Sequence, residues 1–223
     1  MKFHCLFEQS GTFKKEFKKL GYESYDYDLL NDYNETDYQI DLFNEINSAY
    51  MGGESIFDNF EQEDYLIAFF PCVRFEDQAI LLFRGDNYGQ LNWNDEQKLE
   101  YDLKMQRELC ELYCEVTKLA IICIRKKLKL IIENPYTTQH YLYRYWSLKP
   151  KLIDYDRTER GDWYKKPTQY WFINCEPKNN FILEPKEIHP RKVVQDERGA
   201  ERSLISPQYA NRFIREFVIE EQI

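Results

Sequence analysis

Asp64-Tyr65-Leu66-Ile67-Ala68-Phe69-Phe70-Pro71-Cys72 is the stretch on which the reading of this chain turns. Residues 64–70 are apolar almost throughout. That is the pattern of a strand buried on both faces, as in the middle of a parallel sheet; a strand with one wet face alternates apolar and polar residues instead. Proline then stops the strand. Cys72 falls beyond its C-terminal end, where a side chain opens into a site rather than into the core.

Working outward toward the N-terminus, residues 2–7 read as a second buried strand, with Phe3, Cys5, Leu6 and Phe7. A turn over 8–12 leads to a helix over 13–20 with Phe13, Phe17 and Leu20 on one face, closed by Gly21. Residues 22–27 form a short strand ending in the acids Asp26 and Asp28, and 38–42 form another ending near Asp41. Toward the C-terminus, Leu99, Leu103, Leu109, Leu112, Val116 and Leu119 recur at helical spacing within a helix over 95–127. Residues 128–132 are an apolar strand ending at Glu133-Asn134-Pro135. Strands over 151–155 and 169–174 follow. A closing helix over 207–219 carries Tyr209, Ala210, Phe213, Ile214 and Phe217 inward. Strands alternating with helices predict an α/β fold: a mostly parallel seven-stranded sheet covered by helices on both faces, as one domain over 1–223.

Bulk properties bound the function. The chain has 223 residues, of which 43% are hydrophobic and 17% aromatic, so it has material for a full core. A net charge of -9 excludes non-specific coating of nucleic acid, although Lys14-Lys15, Lys18-Lys19, Arg125-Lys126-Lys127 and Lys165-Lys166 are candidates for a local basic face. The 6 cysteines include no CxxC pair and His is limited to 3, which argues against a zinc site; no metal ligand set is expected. No signal peptide or membrane-length apolar run occurs, and a reducing, cytoplasmic setting is expected.

In open α/β sheets ligands bind beyond the C-terminal ends of the strands. Gly11, Asp28, Asp41, Cys72 and Glu133 all fall there. Gly11 lies in a strand-to-helix turn where a cofactor could approach the backbone and meet the positive end of a helix. Asp28 is placed to accept hydrogen bonds from both ribose hydroxyls of a nucleoside cofactor, and Asp41 to bind an adenine amino group. Cys72, as the thiolate, is a candidate nucleophile. Glu133, ending the next strand of the sheet, could protonate or hydrogen-bond N3 of a pyrimidine and so make C6 electrophilic.

Together these residues resemble the DNA cytosine-5 methyltransferases, especially small phage-type members with a reduced target-recognition region. Phe7, Gly11 and Phe13 resemble the first cofactor motif, with Gln9 where a glycine is usual. Phe70-Pro71-Cys72 resembles the nucleophile motif, with Val73 in place of glutamine. Glu133-Asn134 resembles the catalytic Glu-Asn pair, with Pro135 in place of valine. Arg202-Ser203 to Pro207 and Tyr209-Ala210 resemble a closing motif. The resemblance implies a Rossmann-like class I fold and S-adenosylmethionine as cofactor, held by Phe7, Gly11, Thr12, Phe13, Asp28, Asp41 and Pro71. It implies cytosine-containing DNA as substrate and the cytoplasm of a bacterium or infected host as setting. The catalytic set it implies is Cys72, Glu133, Asn134 and an arginine. Arg157, Arg160 and Lys166 are the candidates for the last, with Arg160 preferred. Residues 176–201 are the segment available for target recognition or connection, short enough that a second copy or a partner protein could supply that role.

Other readings stay open. Asn134-Pro135-Tyr136 loosely resembles the Asn-Pro-Pro-aromatic loop of amino-methyltransferases, but it lacks a proline and follows the wrong strand. A methyltransferase acting on RNA or a free nucleotide, or a non-catalytic interaction protein on this scaffold, are the alternatives.

Overall fold

A computed structural model describes residues 1–76, 79–182 and 204–220. Most of the 176–201 segment, and the Arg202-Ser203 part of the closing motif, lie outside the described residues. The elements run β1 (Phe3–Leu6), α1 (Thr12–Lys19), β2 (Ser24–Asp28), β3 (Tyr38–Gln39), α2 (Leu42–Met51), β4 (Tyr65–Phe69), α3 (Ala79–Phe83), α4 (Asp95–Lys126), β5 (Lys129–Pro135), α5 (Tyr141–Tyr145), β6 (Leu152–Asp154), β7 (Thr168–Ile173) and α6 (Pro207–Phe213), which passes into a π-helical turn over Ile214–Val218.

The strands form one 7-stranded sheet in the order β3-β2-β1-β4-β5-β7-β6. Strands β1 to β5 pair in parallel, whereas β7 is antiparallel to both β5 and β6. The sheet is therefore mixed, not mostly parallel as the alternation of elements predicts. A strand buried on both faces has the same composition in either direction, so the residues of β7 carry no sign of its reversal.

Side chains alternate across the sheet and build a core on each face. Leu6, Leu66, Ala68, Leu130, Ile132 and Trp171 meet Leu42 and Ile46 of α2 and Val116 and Leu119 of α4. Phe3, Cys5, Ile67, Ile131, Tyr170 and Phe172 meet Phe13 and Phe17 of α1 and Tyr209 and Phe213 of α6. The first turns of α4 depart from expectation. Leu99 and Leu103 share the helical spacing of the later leucines but are exposed, and the first fully buried apolar side chain of the helix is Met105. Residues 41–42 also depart from the predicted third strand. Asp41 accepts hydrogen bonds from the backbone N–H of Phe43 and Asn44, which makes it the N-cap of α2.

The sheet order reverses at β1. From there the chain winds one way through β2 and β3 and the other way through β4 and β5. Two neighbouring strands whose following loops depart in opposite directions leave a crevice between them, the switch point where open α/β sheets bind ligands. Here it opens beyond the ends of β1 and β4. Among the described residues, no helix is long and apolar enough to cross a membrane.

Candidate active site

The crevice is occupied by a cleft of about 270 Å³, lined among others by Phe7 and Glu8 after β1, Asp28 at the end of β2, Pro71 and Cys72 after β4, and Glu133 in β5. Arg157 and Lys166, from the segment between β6 and β7, complete the far wall. Phe7 makes the turn possible. It is a non-glycine residue in the left-handed region, with φ 60, a conformation that costs about 1–2 kcal/mol and persists where packing over-determines it. That packing is aromatic: the Phe7 ring contacts Phe43 and Phe70.

Of the predicted site residues, the cleft gathers Phe7, Asp28, Pro71, Cys72 and Glu133. Gly11, Thr12, Phe13, Asp41, Asn134 and Arg160 stand outside its lining. Gly11, at φ +64, caps α1, and a Cβ there would press on Lys14, Glu35 and Asp26 rather than on the cleft. Its left-handed turn serves the buried Lys14–Asp26 ion pair, 3.0 Å long. Phe13 is a core residue against Phe69, and the Thr12 hydroxyl bonds that of Ser10. Asn134 is a strut: its side-chain amide donates to the carbonyl of Phe70 at 2.8 Å, tying the end of β5 to the residues that present Cys72.

The preferred arginine is placed elsewhere. Arg160 pairs with Glu216 at 2.7 Å and Asp154 at 3.1 Å beneath the sheet end. Arg157, three residues earlier in the same 3-10 turn, is the one that faces Glu133, at 3.8 Å. Several of the lysines considered for a basic face are likewise engaged, Lys14 by Asp26 and Asp37, Lys15 by Glu35, Lys19 by Glu16 and Lys126 by Asp58. Lys166 is the exception that lines the cleft.

Burial dominates the electrostatics of the cleft. Burial pushes the Cys72 thiol up, and the charge of Glu76 adds to it, while Lys166 opposes. Burial also raises the Glu133 carboxyl, opposed by Lys166 and Arg157. A buried acid that favours its neutral form can hold a proton for a substrate. Asp28 is raised by burial too, and accepts from the backbone N–H of Leu30 at 2.8 Å.

Sequence reading missed Glu8. One carboxylate oxygen accepts from the N–H of Phe13 at 2.8 Å, at the N-terminus of α1, while the other is buried in the cleft wall with no partner among the described residues. Burial raises its pKa to about 7. A carboxyl raised from 4.5 to about 7 on folding binds its proton more tightly in the folded state. Its contribution is favourable below the unfolded value and is lost as pH rises through 7. Replacing Glu8 by glutamine keeps the acceptor for Phe13 and removes the charge. We expect Glu8→Gln to be more stable than wild type at pH 8, by up to about 3 kcal/mol, and equal to it near pH 4. Urea denaturation at the two pH values checks this; equal stability at pH 8 would show that the carboxylate is not held in a costly place.

No protein-family model matches this chain, and a search of curated proteins returns no match. Among the described residues no group of three or more His, Cys, Asp or Glu is arranged to hold a metal ion.

Proposed function

We propose that this protein is a Rossmann-like, class I methyltransferase that uses S-adenosylmethionine to methylate C5 of cytosine in DNA through a covalent adduct on Cys72. The observation that carries the reading is the convergence of Cys72 and Glu133 in one cleft at the sheet's switch point, from neighbouring strands in register at Phe69 and Glu133. A nucleophilic thiol and a buried acid on adjacent strand ends are what addition to a pyrimidine requires: attack at C6 and a proton at N3.

The residues on the β1–β2 side fit a nucleoside cofactor. Asp28 offers a carboxylate at the end of β2, and the unpartnered oxygen of Glu8 calls for a hydrogen-bond donor or a cation. Phe7 and Pro71 supply apolar walls for a purine or a thioether chain. When bound, S-adenosylmethionine supplies an electrophilic methyl group. The chain's own part is to orient and protonate the base. Cys72 Sγ bonds to C6, Glu133 gives its proton to N3, and Arg157 holds Glu133 in place from behind. Asn134 fixes the Phe70 carbonyl and so the position of the thiol. A cytosine in a duplex must leave the stack to reach a recessed thiol. Lys166 at the cleft wall is suited to the phosphate that travels with it.

Nucleoside mass spectrometry of DNA from cells expressing the chain tests the reading. New 5-methylcytosine is expected. Its absence, with S-adenosylmethionine bound by the purified protein, would move the substrate to RNA or a free nucleotide. Absence of cofactor binding as well would discard the methyltransferase reading.

A further inference from the structure

The thiol of Cys72 raises a problem that its surroundings also answer. Reactive cysteines are ordinarily activated by nearby positive charge or a helix N-terminus that lowers the thiol pKa. Burial and two carboxylates do the opposite here, with Lys166 the opposing charge. A thiol that is not ionised in advance needs a base at the moment it attacks. Cys72 Sγ donates a hydrogen bond to Glu76 Oε1 at 3.0 Å.

The turn that brings them together is built for it. The Phe75 N–H donates to the Cys72 carbonyl at 2.8 Å, folding the chain back so that residue 76 returns over residue 72. Arg74 clamps the turn to α4 through Glu108, with a 2.6 Å hydrogen bond from its Nε. Phe75 is buried against Phe70 and Tyr141. Val73, between Cys72 and Arg74, is exposed. The neighbourhood is one that expects a ligand, since the unpartnered oxygen of Glu8 is buried in the wall of the same cleft.

We propose that Glu76 is the general base for Cys72, a catalytic residue in the reaction assigned above. This rests on the cytosine reading of the cleft. As the Sγ–C6 bond forms, the thiol proton passes to Glu76 Oε1. The C5–C6 π pair shifts toward C4 and the displaced pair reaches N3, where Glu133 delivers its proton. After C5 has received the methyl group from the sulfonium donor, the C5 proton is lost to water. The C5–C6 double bond re-forms, N3 returns its proton to Glu133, and the Sγ–C6 bond breaks with its pair returning to sulfur. The thiolate then recovers the proton held by Glu76, and both groups are restored.

Two measurements on Glu76→Gln test this, because base and bystander move them differently. Removing the carboxylate relieves the neighbouring charge, so alkylation of Cys72 by iodoacetamide at pH 8, followed by peptide mass spectrometry, is expected to quicken several-fold. Single-turnover methyl transfer to DNA is expected to slow about 10²–10⁴-fold, the usual contribution of a general base. A more reactive thiol in a slower enzyme is a result that a merely structural glutamate would not give. Glu76→Ala assayed with added formate is the second variant; partial recovery of transfer is expected as the small carboxylate replaces the lost base. Wild-type activity with an unchanged rate in Glu76→Gln, or alkylation that does not respond, overturns the proposal and leaves the cytosine reading standing. A wild-type protein that transfers no methyl group to cytosine overturns both.

Discussion

Cys72→Ala is expected to abolish methyl transfer while leaving S-adenosylmethionine binding intact. The side chain is only partly buried and belongs to neither core, so its removal leaves no large cavity. Of the residues proposed to meet the cofactor, Phe7 and Glu8 follow β1 and Asp28 ends β2, whereas the thiol follows β4. Loss of a nucleophile that forms a covalent bond typically removes about 10⁴-fold or more of the rate. Cys72→Ser keeps a donor for Glu76 but offers a poorer nucleophile, and should fall nearly as far. A DNA oligonucleotide carrying 5-fluorocytosine gives a direct view of the adduct. With S-adenosylmethionine present C5 takes the methyl group, but its fluorine cannot leave as a proton does, so the Sγ–C6 bond persists and the protein gains the mass of the methylated strand. Wild type is expected to form that species and Cys72→Ala to form none. A Cys72→Ala variant that methylates at the wild-type rate would remove the covalent mechanism.

The sequence and the fold agree where burial alone decides the pattern. The apolar run of β4, with Pro71-Cys72 after it, and the runs of β1 and β5 are visible because a strand covered on both faces must be apolar throughout. The same property hid the direction of β7, since Thr168–Ile173 is buried on both faces whichever way it runs. Asp41 reads in the sequence as an acid after a strand, and in the fold it is instead the cap of a helix. The backbone N–H groups of Phe43 and Asn44 donate to its carboxylate, a local contact that an acid-rich sequence does not signal. Arg157 and Arg160 share one short turn, and their spacing does not say which points to the cleft. The partners decide it, Asp154 and Glu216 for Arg160, Glu133 and Asp162 for Arg157. Glu8 and Glu76 had no pattern to announce them. Each is a loop carboxylate in an acid-rich chain, and its chemistry comes from what the fold packs around it. The one signal available was position: Glu8 lies in the short turn between β1 and α1, and Glu76 lies four residues after the cysteine.

Arg157→Ala is expected to cost the fold about 3–5 kcal/mol, the usual result of removing one partner from a buried ion pair. The guanidinium is 1% exposed. It pairs with Asp162, faces Glu133, and lies over the ring of Tyr209 at 4.6 Å. Burial works against its charge, and the carboxylate of Asp162, helped by its other neighbours, outweighs that. Without Arg157 the Asp162 carboxylate would stay in the interior, because its other oxygen is held by the N–H groups of Trp163 and Ser206. Ser206 in turn caps α6, so the strain would reach the helix that covers one face of the sheet. Arg157→Lys is not expected to rescue it, since an ammonium cannot address two carboxylates and a ring face as a planar fork does. Arg157→Ala combined with Asp162→Asn is the informative control. The double variant leaves no uncompensated charge beside Ser206, and should be more stable than the sum of the two single losses. Urea denaturation with an unchanged m-value measures all of these. A loss under about 1 kcal/mol would put the pair with surface salt bridges, which contribute little. A large loss that the double variant relieves would mean that the cation behind Glu133 also holds the closing helix against the sheet, so the same residue serves the proton-holding acid of the site and the fold that encloses it.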